Sequence, residues 1–397
     1  MRVVRHIRTG RIGSRFFSTD SSRLRLSLLE DLALLAPFAD RSVRATQSQR
    51  PRARAPAPLG PAICDVLTCE HLILQQTARR MEHAPRIRIG TAGWSYKDWD
   101  GILYPPEVTR KKVHPVEFLA RFFDVIEINT SFYGHIRPEL GRLWSRKAAA
   151  VNPNFLFTAK LHRSFTHSPL AVMEPTSAAS IRPNDRDEQL AREGLESLAS
   201  EGKLGALLIQ FPVSFKNTSL NREYLEQLLR QFIEYPRVVE VRHESWDNPE
   251  TIAEFMRHNV GFCNIDQPLL GRSLAPTEHV TSGVGYVRLH GRNYEHWFES
   301  GFDSDNRNRD DRYNYLYKPA ELEKWKEKIE IIAHKAESTF VIANNHFQAK
   351  AAVNALELRH LLDGKKVRAP ETLVKHYPEL KEMVKMEDTS GEYSLLG

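Results

Sequence analysis

The chain has 397 residues, 41% of them hydrophobic and 27% charged, which suits a soluble fold of one large domain with extensions. No run of about 18 apolar residues occurs, so no membrane-spanning helix is expected. Three cysteines, Cys64, Cys69 and Cys263, support neither a disulfide framework nor a Cys-rich zinc site. The formal net charge of +6 is local: residues 1–84 hold 14 Arg against 7 Asp and Glu, which leaves 42 basic against 43 acidic residues beyond them. Bulk charge therefore implies no large electrostatic term for nucleic acid, although a local patch stays open.

Residues 1–84 read as an arm rather than a domain. Arg2, Arg5, Arg8, Arg11 and Arg15 precede the first acid, Asp20, and Val3, Val4, Ile7 and Ile12 add a modest apolar face. In a eukaryote this reads as a mitochondrial presequence; otherwise the protein is expected in the cytoplasm. Disorder, or a start placed too far upstream, is the alternative. Short helices are predicted at 24–38, ending at Pro37, and at 63–83. The Arg-, Ala- and Pro-rich stretch 41–61 cannot bury enough apolar surface to order itself.

The ordered chain is expected from residue 85, with a domain over 85–370 and an extension or closing helix over 371–397. Ile87, Arg88 and Ile89 alternate and give way to Gly90, Thr91, Ala92 and Gly93. Small residues at a strand end leave room for a ligand or a loop. Trp94, Tyr96, Trp99 and Tyr104 follow, as a pocket wall or a packed lid. Further β-type runs recur at 125–132, 155–160, 206–211, 238–242, 261–266, 286–290 and 340–344, rich in Val, Ile, Leu and Phe as buried parallel strands are. Helices are predicted at 115–123, 189–200, 220–235, 249–259, 319–334 and 355–364, with Asn248 as an N-cap, Pro249 in the first turn and Gly364 as a C-cap. Residues 171–188 read as a polar insertion, and the long loop 292–317 as a lid. Eight strands with intervening helices predict an α/β fold, a TIM-type (β/α)8 barrel. A doubly wound sheet is the runner-up, although no Gly-x-Gly-x-x-Gly follows the first strand. The barrel is favoured because polar residues cluster at many strand ends, which converge on one mouth in a barrel and spread along an edge in an open sheet.

GTAGWSYKDWDGILYP, FFDVIEINTSFYG, FLFTAKLHRSFTH, LGALLIQFPVSF, VVEVRHESW, YVRLHGR and ANNHFQAKAAVNAL, in this order, resemble the DUF72 family, the group containing the bacterial YecE-like proteins. The resemblance covers nearly all of residues 86–362. It implies a TIM-type barrel and names no reaction. Ala343, His346 and Gln348 depart from it: an aromatic residue, an acid and a glycine are expected at those places.

Glu127 and Glu240 interrupt apolar strands. A charge there must be paired, hydrated or bound to ligand. Two carboxylates facing one cavity can serve as an acid–base pair; the alternative is ion pairing with Arg242 or Lys160. Lys160 is read as an anion binder, a base or nucleophile, or a counter-ion to Glu127. Arg242 and Arg288 suit a carboxylate or phosphate held through two prongs, which makes an anionic ligand the leading partner. His290 before Gly291 is a proton shuttle, a metal ligand or a satisfied core histidine. Asp266 is a third acid. Asn129, Gln210, Asn344 and Asn345 read as orienting hydrogen-bonders. Trp94, Tyr96, Trp99, Tyr133 and Trp246 lie just past strands and suit stacking on a sugar or base, or core packing. Glu127, Glu240, Asp266 and His290 together would suit Mg, Mn or Zn, but no short ligand motif supports a metal. The leading function is an enzyme, a hydrolase or isomerase, acting on a phosphate- or sugar-containing anion by carboxylate acid–base chemistry. A non-catalytic small-ligand binder and a nucleic-acid binding or processing protein are the alternatives.

Overall fold

The structure, a computed structural model, describes residues 87–110, 113–167, 185–295 and 311–387. The presequence-like arm, the two short helices predicted in it, most of the 171–188 insertion and the centre of the 292–317 loop lie outside the described residues.

Eight parallel strands close on themselves: β1 (Ile87–Ala92), β2 (Val125–Ile128), β3 (Leu156–Lys160), β4 (Leu204–Gln210), β5 (Arg237–Glu240), β6 (Gly261–Asp266), β7 (Val284–Leu289) and β8 (Ser338–Ala343). The open doubly wound alternative fails because β8 returns to β1, from Ile87 opposite Thr339 to Thr91 opposite Ala343. The strands are near-continuous apolar runs because one face packs inside the barrel and the other beneath helices. The run expected over 125–132 stops at Ile128, because Thr130–Phe132 turns into a 3-10 helix. That turn carries Asn129 and Tyr133 onto the rim rather than into the wall.

Helix ends follow local chemistry. The Asn248 side chain accepts from the Thr251 amide at 2.9 Å, with Pro249 in the first turn. Gly364 ends the helix Lys350–Asp363 at φ 64°. The helix Pro138–Val151 is absent from the sequence reading, although Leu140, Trp144, Ala148 and Val151 share one face and Trp144 and Ala148 are buried. Residues 371–387, read as one closing helix, instead form the helix Glu371–His376, a 3-10 turn at Pro378–Glu382 and a strand β10 (Val384–Glu387) parallel to β9 (Val367–Pro370). Pro378 explains the break, since it disfavours helical geometry at Tyr377 and supplies no amide.

Glu357 lies buried in the helix Lys350–Asp363 and accepts from Asn354 Nδ2 at 2.6 Å. Burial raises its pKa to about 7. The folded form therefore keeps a proton that the unfolded chain releases near pH ~4.3, so stability falls as pH rises through that window. Glu357→Gln keeps the acceptor and removes the charge. It should stabilise the protein by about 2–3 kcal/mol at pH 8 and by little at pH 4, as read by denaturant unfolding at both values.

Candidate functional site

The first strand and its loop set one wall. Gly93 turns with φ 76°, and a Cβ there would meet the Tyr96 hydroxyl at 2.6 Å. That hydroxyl donates to the Ala92 carbonyl at 2.8 Å. Trp99 and Tyr104 are buried, Trp99 Nε1 donating to the His346 carbonyl at 2.7 Å and the Tyr104 hydroxyl to the Trp94 carbonyl at 2.6 Å. They plug the loop, while Trp94 and Tyr96 face a cavity. Both readings of the aromatic stretch therefore hold, for different rings.

The floor is a charge network built on β7. Strand alternation puts Tyr286 and Arg288 on one face, and His290 continues that face. Arg288 forks onto Glu127, Nε to Oε2 at 3.0 Å and Nη2 to Oε1 at 2.6 Å, and gives Nη1 to Glu240 Oε2 at 2.5 Å. Tyr286 donates to Glu127 at 2.9 Å, and Arg242 Nε reaches Glu240 Oε1 at 2.8 Å. Arg288, Glu127 and Glu240 are fully buried. Burial works against the charge on Glu240, but Arg288, Arg242 and His290 hold it well below the usual carboxylate range. Arg288 is held charged by Glu127 and Glu240 against its own burial. Burial pulls His290 down to about 3, although Glu240 opposes this, so the ring is neutral at pH 7. Its Nδ1 meets Asn344 Nδ2 at 2.9 Å, and its Nε2 lies 3.4 Å from Glu240 Oε1.

Above this floor lies a cavity of ≈ 720 Å³. Trp94, Tyr96, Asn129, Tyr133, Lys160, Gln210, Arg242, Arg288 and Asn344 line it, as do Arg137, Trp144, Arg312, Tyr313 and His346. Among the described lining residues four carry a fixed charge, Arg137, Arg242, Arg288 and Arg312, and all four are cationic, with the titratable amine of Lys160 beside them. Lys160 is half-buried, with Nζ 4.1 Å from the centre of the Phe132 ring. Among the described residues no carboxylate lies within salt-bridge distance of it, and Glu127 and Glu240 act on it only through space. Burial, followed by the charge of Arg288, lowers it to about 7 despite Glu127 and Glu240 nearby.

Several residues singled out from the sequence lie elsewhere. Glu127, Glu240 and His290 belong to the layer beneath the cavity. Asp266 is forked by Arg292 at 2.9–3.1 Å, and Arg292 also pairs with Glu321 at 3.0 Å. Trp246 is fully buried, stacked on Phe215 at 5.2 Å, with Nε1 donating to the Phe215 carbonyl; it is core packing. Asn345 ties the Tyr315 carbonyl to Asn354, each at 2.8 Å. Gly291, at φ 87°, makes room for Tyr315, whose Cβ would lie 2.8 Å from an added methyl, rather than for a ligand. The metal set considered from the sequence is not among the clusters that could hold an ion in the described residues, and its three carboxylates are held by guanidinium groups, which a cation would have to displace. A different trio, His135, His162 and Asp187, places its ligand atoms within 4.8 Å of one another and is capable of coordinating a metal ion. His135, Arg137 and Trp144 follow β2 in the sequence, but no strand or helix period fixes the direction of the loop that carries the first two.

Of the departures at the end of β8, His346 sits in the cavity wall, whereas Ala343 and Gln348 do not line it. His346 is buried, stacked on Tyr96 at 4.1 Å and 4.7 Å from Tyr313. Burial, with Arg312 nearby, lowers it to about 3, so it adds a flat neutral surface where an acid is expected. Gln348 holds φ 50° and Ala349 φ 62°, so the backbone adopts the left-handed turn for which glycine is expected. The Gln348 carbonyl accepts from Tyr377 at 2.7 Å, which fixes the turn, while its side chain is exposed. Gln348→Gly should raise stability by about 0.5–1 kcal/mol, measured by urea unfolding.

The family model for "Protein of unknown function DUF72" matches residues 88–377. The UPF0759 protein YunF of Bacillus subtilis (strain 168) is 28% identical over 286 residues, covering 70% of this chain and 95% of that protein. The crystal structure of a DUF72 family protein from Thermotoga maritima MSB8 is 31% identical with a TM-score of 0.58, covering 70% of this chain and all of that one. A second, from Enterococcus faecalis V583, is 24% identical with a TM-score of 0.56, over 70% of this chain and 95% of that one, and shares the fold. With the barrel and the order of its motifs, these matches establish that the chain belongs to the DUF72 family.

Proposed function

We propose that the protein is an enzyme that binds a small anionic molecule, a phosphate or carboxylate carrying a ring, at the barrel mouth. One observation carries this reading: every fixed charge on the described cavity wall is positive, while Glu127 and Glu240 are neutralised one layer below. Cationic forks in a partly dry pocket suit an anion better than a neutral sugar. Trp94, Tyr96 and Tyr133 supply flat apolar surface for a ring. In this reading Glu127 and Glu240 position Arg288 instead of touching substrate. Lys160, an amine facing the cavity with no carboxylate in salt-bridge range among the described residues, is left for proton transfer in an isomerisation or hydrolysis.

The saturation of both carboxylates also favours a second reading, a binder without turnover. The two are separated by incubating the protein with phosphorylated sugars and nucleotides and following products by mass spectrometry. Lys160→Arg should retain binding and lose turnover. Turnover at the parent rate in that variant contradicts the role given to Lys160, and binding without product for every ligand leaves the second reading standing.

A further inference from the structure

We propose that His135, His162 and Asp187 form a site for a divalent first-row transition metal at the edge of the cavity, separate from the Arg288 network. The three come from different segments: His135 from the loop after β2, His162 from the loop after β3, and Asp187 from the first turn of the helix Asp185–Ala199. All three are half-buried, and their ligand atoms lie within 4.8 Å of one another. His135 Nε2 is 3.0 Å from Asp187 Oδ1, and the two imidazole rings lie 4.3 Å apart. A metal with bonds of about 2.0–2.2 Å brings such atoms to roughly 3.3 Å, so the side chains need only close by about 1.5 Å.

The donor set selects the class of ion. Two imidazoles with one carboxylate suit Zn, Fe(II), Mn or Co, whereas Mg and Ca favour oxygen alone. Three protein ligands also leave positions open. Both histidines line a small cavity of ≈ 10 Å³ shared with Lys160 and Ser131, about the space of one water. His135 also lines the main cavity, so an open position would face a ligand oxygen there. The His162 ring is held in place, with Nδ1 accepting from the Ser164 amide at 3.3 Å and lying 2.8 Å from the Ser164 hydroxyl. On metal binding its ring exchanges a hydrogen bond to the Tyr133 carbonyl for the ion. The contrast is His279, whose Nε2 lies 2.8 Å from Asp247 Oδ1. That pair has similar geometry and belongs to no three-ligand cluster among the described residues.

The test uses the full chain without a polyhistidine tag, stripped with EDTA, desalted and titrated with Zn²⁺ by calorimetry and with Co²⁺ by visible absorption. One saturable equivalent is expected, with Co²⁺ bands of nitrogen and oxygen ligation. Affinity should fall about 100-fold or more in His135→Ala and in Asp187→Asn and stay unchanged in His279→Ala. Far-UV circular dichroism of the stripped variants checks that they fold, and His162→Ala serves if either does not. The proposal is overturned by the absence of saturable binding, by binding that survives these substitutions, or by intense near-ultraviolet thiolate bands that place the metal on cysteine. None of these readouts depends on the anionic ligand.

Discussion

Arg288→Met should cost about 3–5 kcal/mol of folding stability, because it strips the shared cation from two fully buried carboxylates. Glu127 would keep only the Tyr286 hydroxyl from this network, and Glu240 would keep Arg242 and His290. An uncompensated buried charge is the expensive state, more than the loss of the pair itself. The penalty should shrink as pH falls toward 4, because a protonated carboxyl is cheaper to bury. The triple variant Arg288→Met, Glu127→Gln, Glu240→Gln should recover part of the loss. Urea unfolding of the single and triple variants reads this directly, and a single-variant loss below about 1 kcal/mol, near the worth of an exposed pair, would show that the network does not hold the floor.

Lys160→Met should have the opposite effect on the fold. The folded amine titrates near 7, against ~10.4 in an unfolded chain. The folded form therefore binds fewer protons between these values, and stability is lost as pH falls through that window. Allowing for the part of the side chain that meets solvent, the variant should be about 1–3 kcal/mol more stable than the parent at pH 7 and equal to it near pH 10.5. Affinity for a phosphate-bearing ligand should drop about 10- to 100-fold, as expected for a lost charge-assisted hydrogen bond. Stability gained as binding is lost marks a residue kept for function. A variant that loses both would make Lys160 a structural residue.

The sequence made the barrel legible because the strands are largely apolar runs and polar residues gather at or just past many of their C-terminal ends. At β7 the alternation of Tyr286, Arg288 and His290 puts all three on the inward face. Alternation does not say how high a side chain sits. Glu127 and Asn129 are two residues apart, yet the first lies in the floor and the second at the cavity wall. Reach matters as well: Arg288 is long enough to line the cavity although it leaves the strand before His290, which does not line it. Trp246 and Asn345 follow strands as cavity residues do, but their hydrogen bonds run to neighbouring backbone and side chains. The loop residues His135, Arg137, Arg312 and Tyr313 obey no period, so only the folded chain brings them to the wall.

The most direct test of the central claim is calorimetric binding of matched ligand pairs to the full chain at fixed ionic strength. Hexose phosphates are compared with hexoses, and nucleoside monophosphates with nucleosides. The cationic wall predicts at least one phosphorylated member binding about tenfold or more tighter than its neutral partner, with the difference reduced in Arg242→Ala. Equal affinity within every pair, or a preference for the neutral members, would contradict an anionic ligand at the barrel mouth.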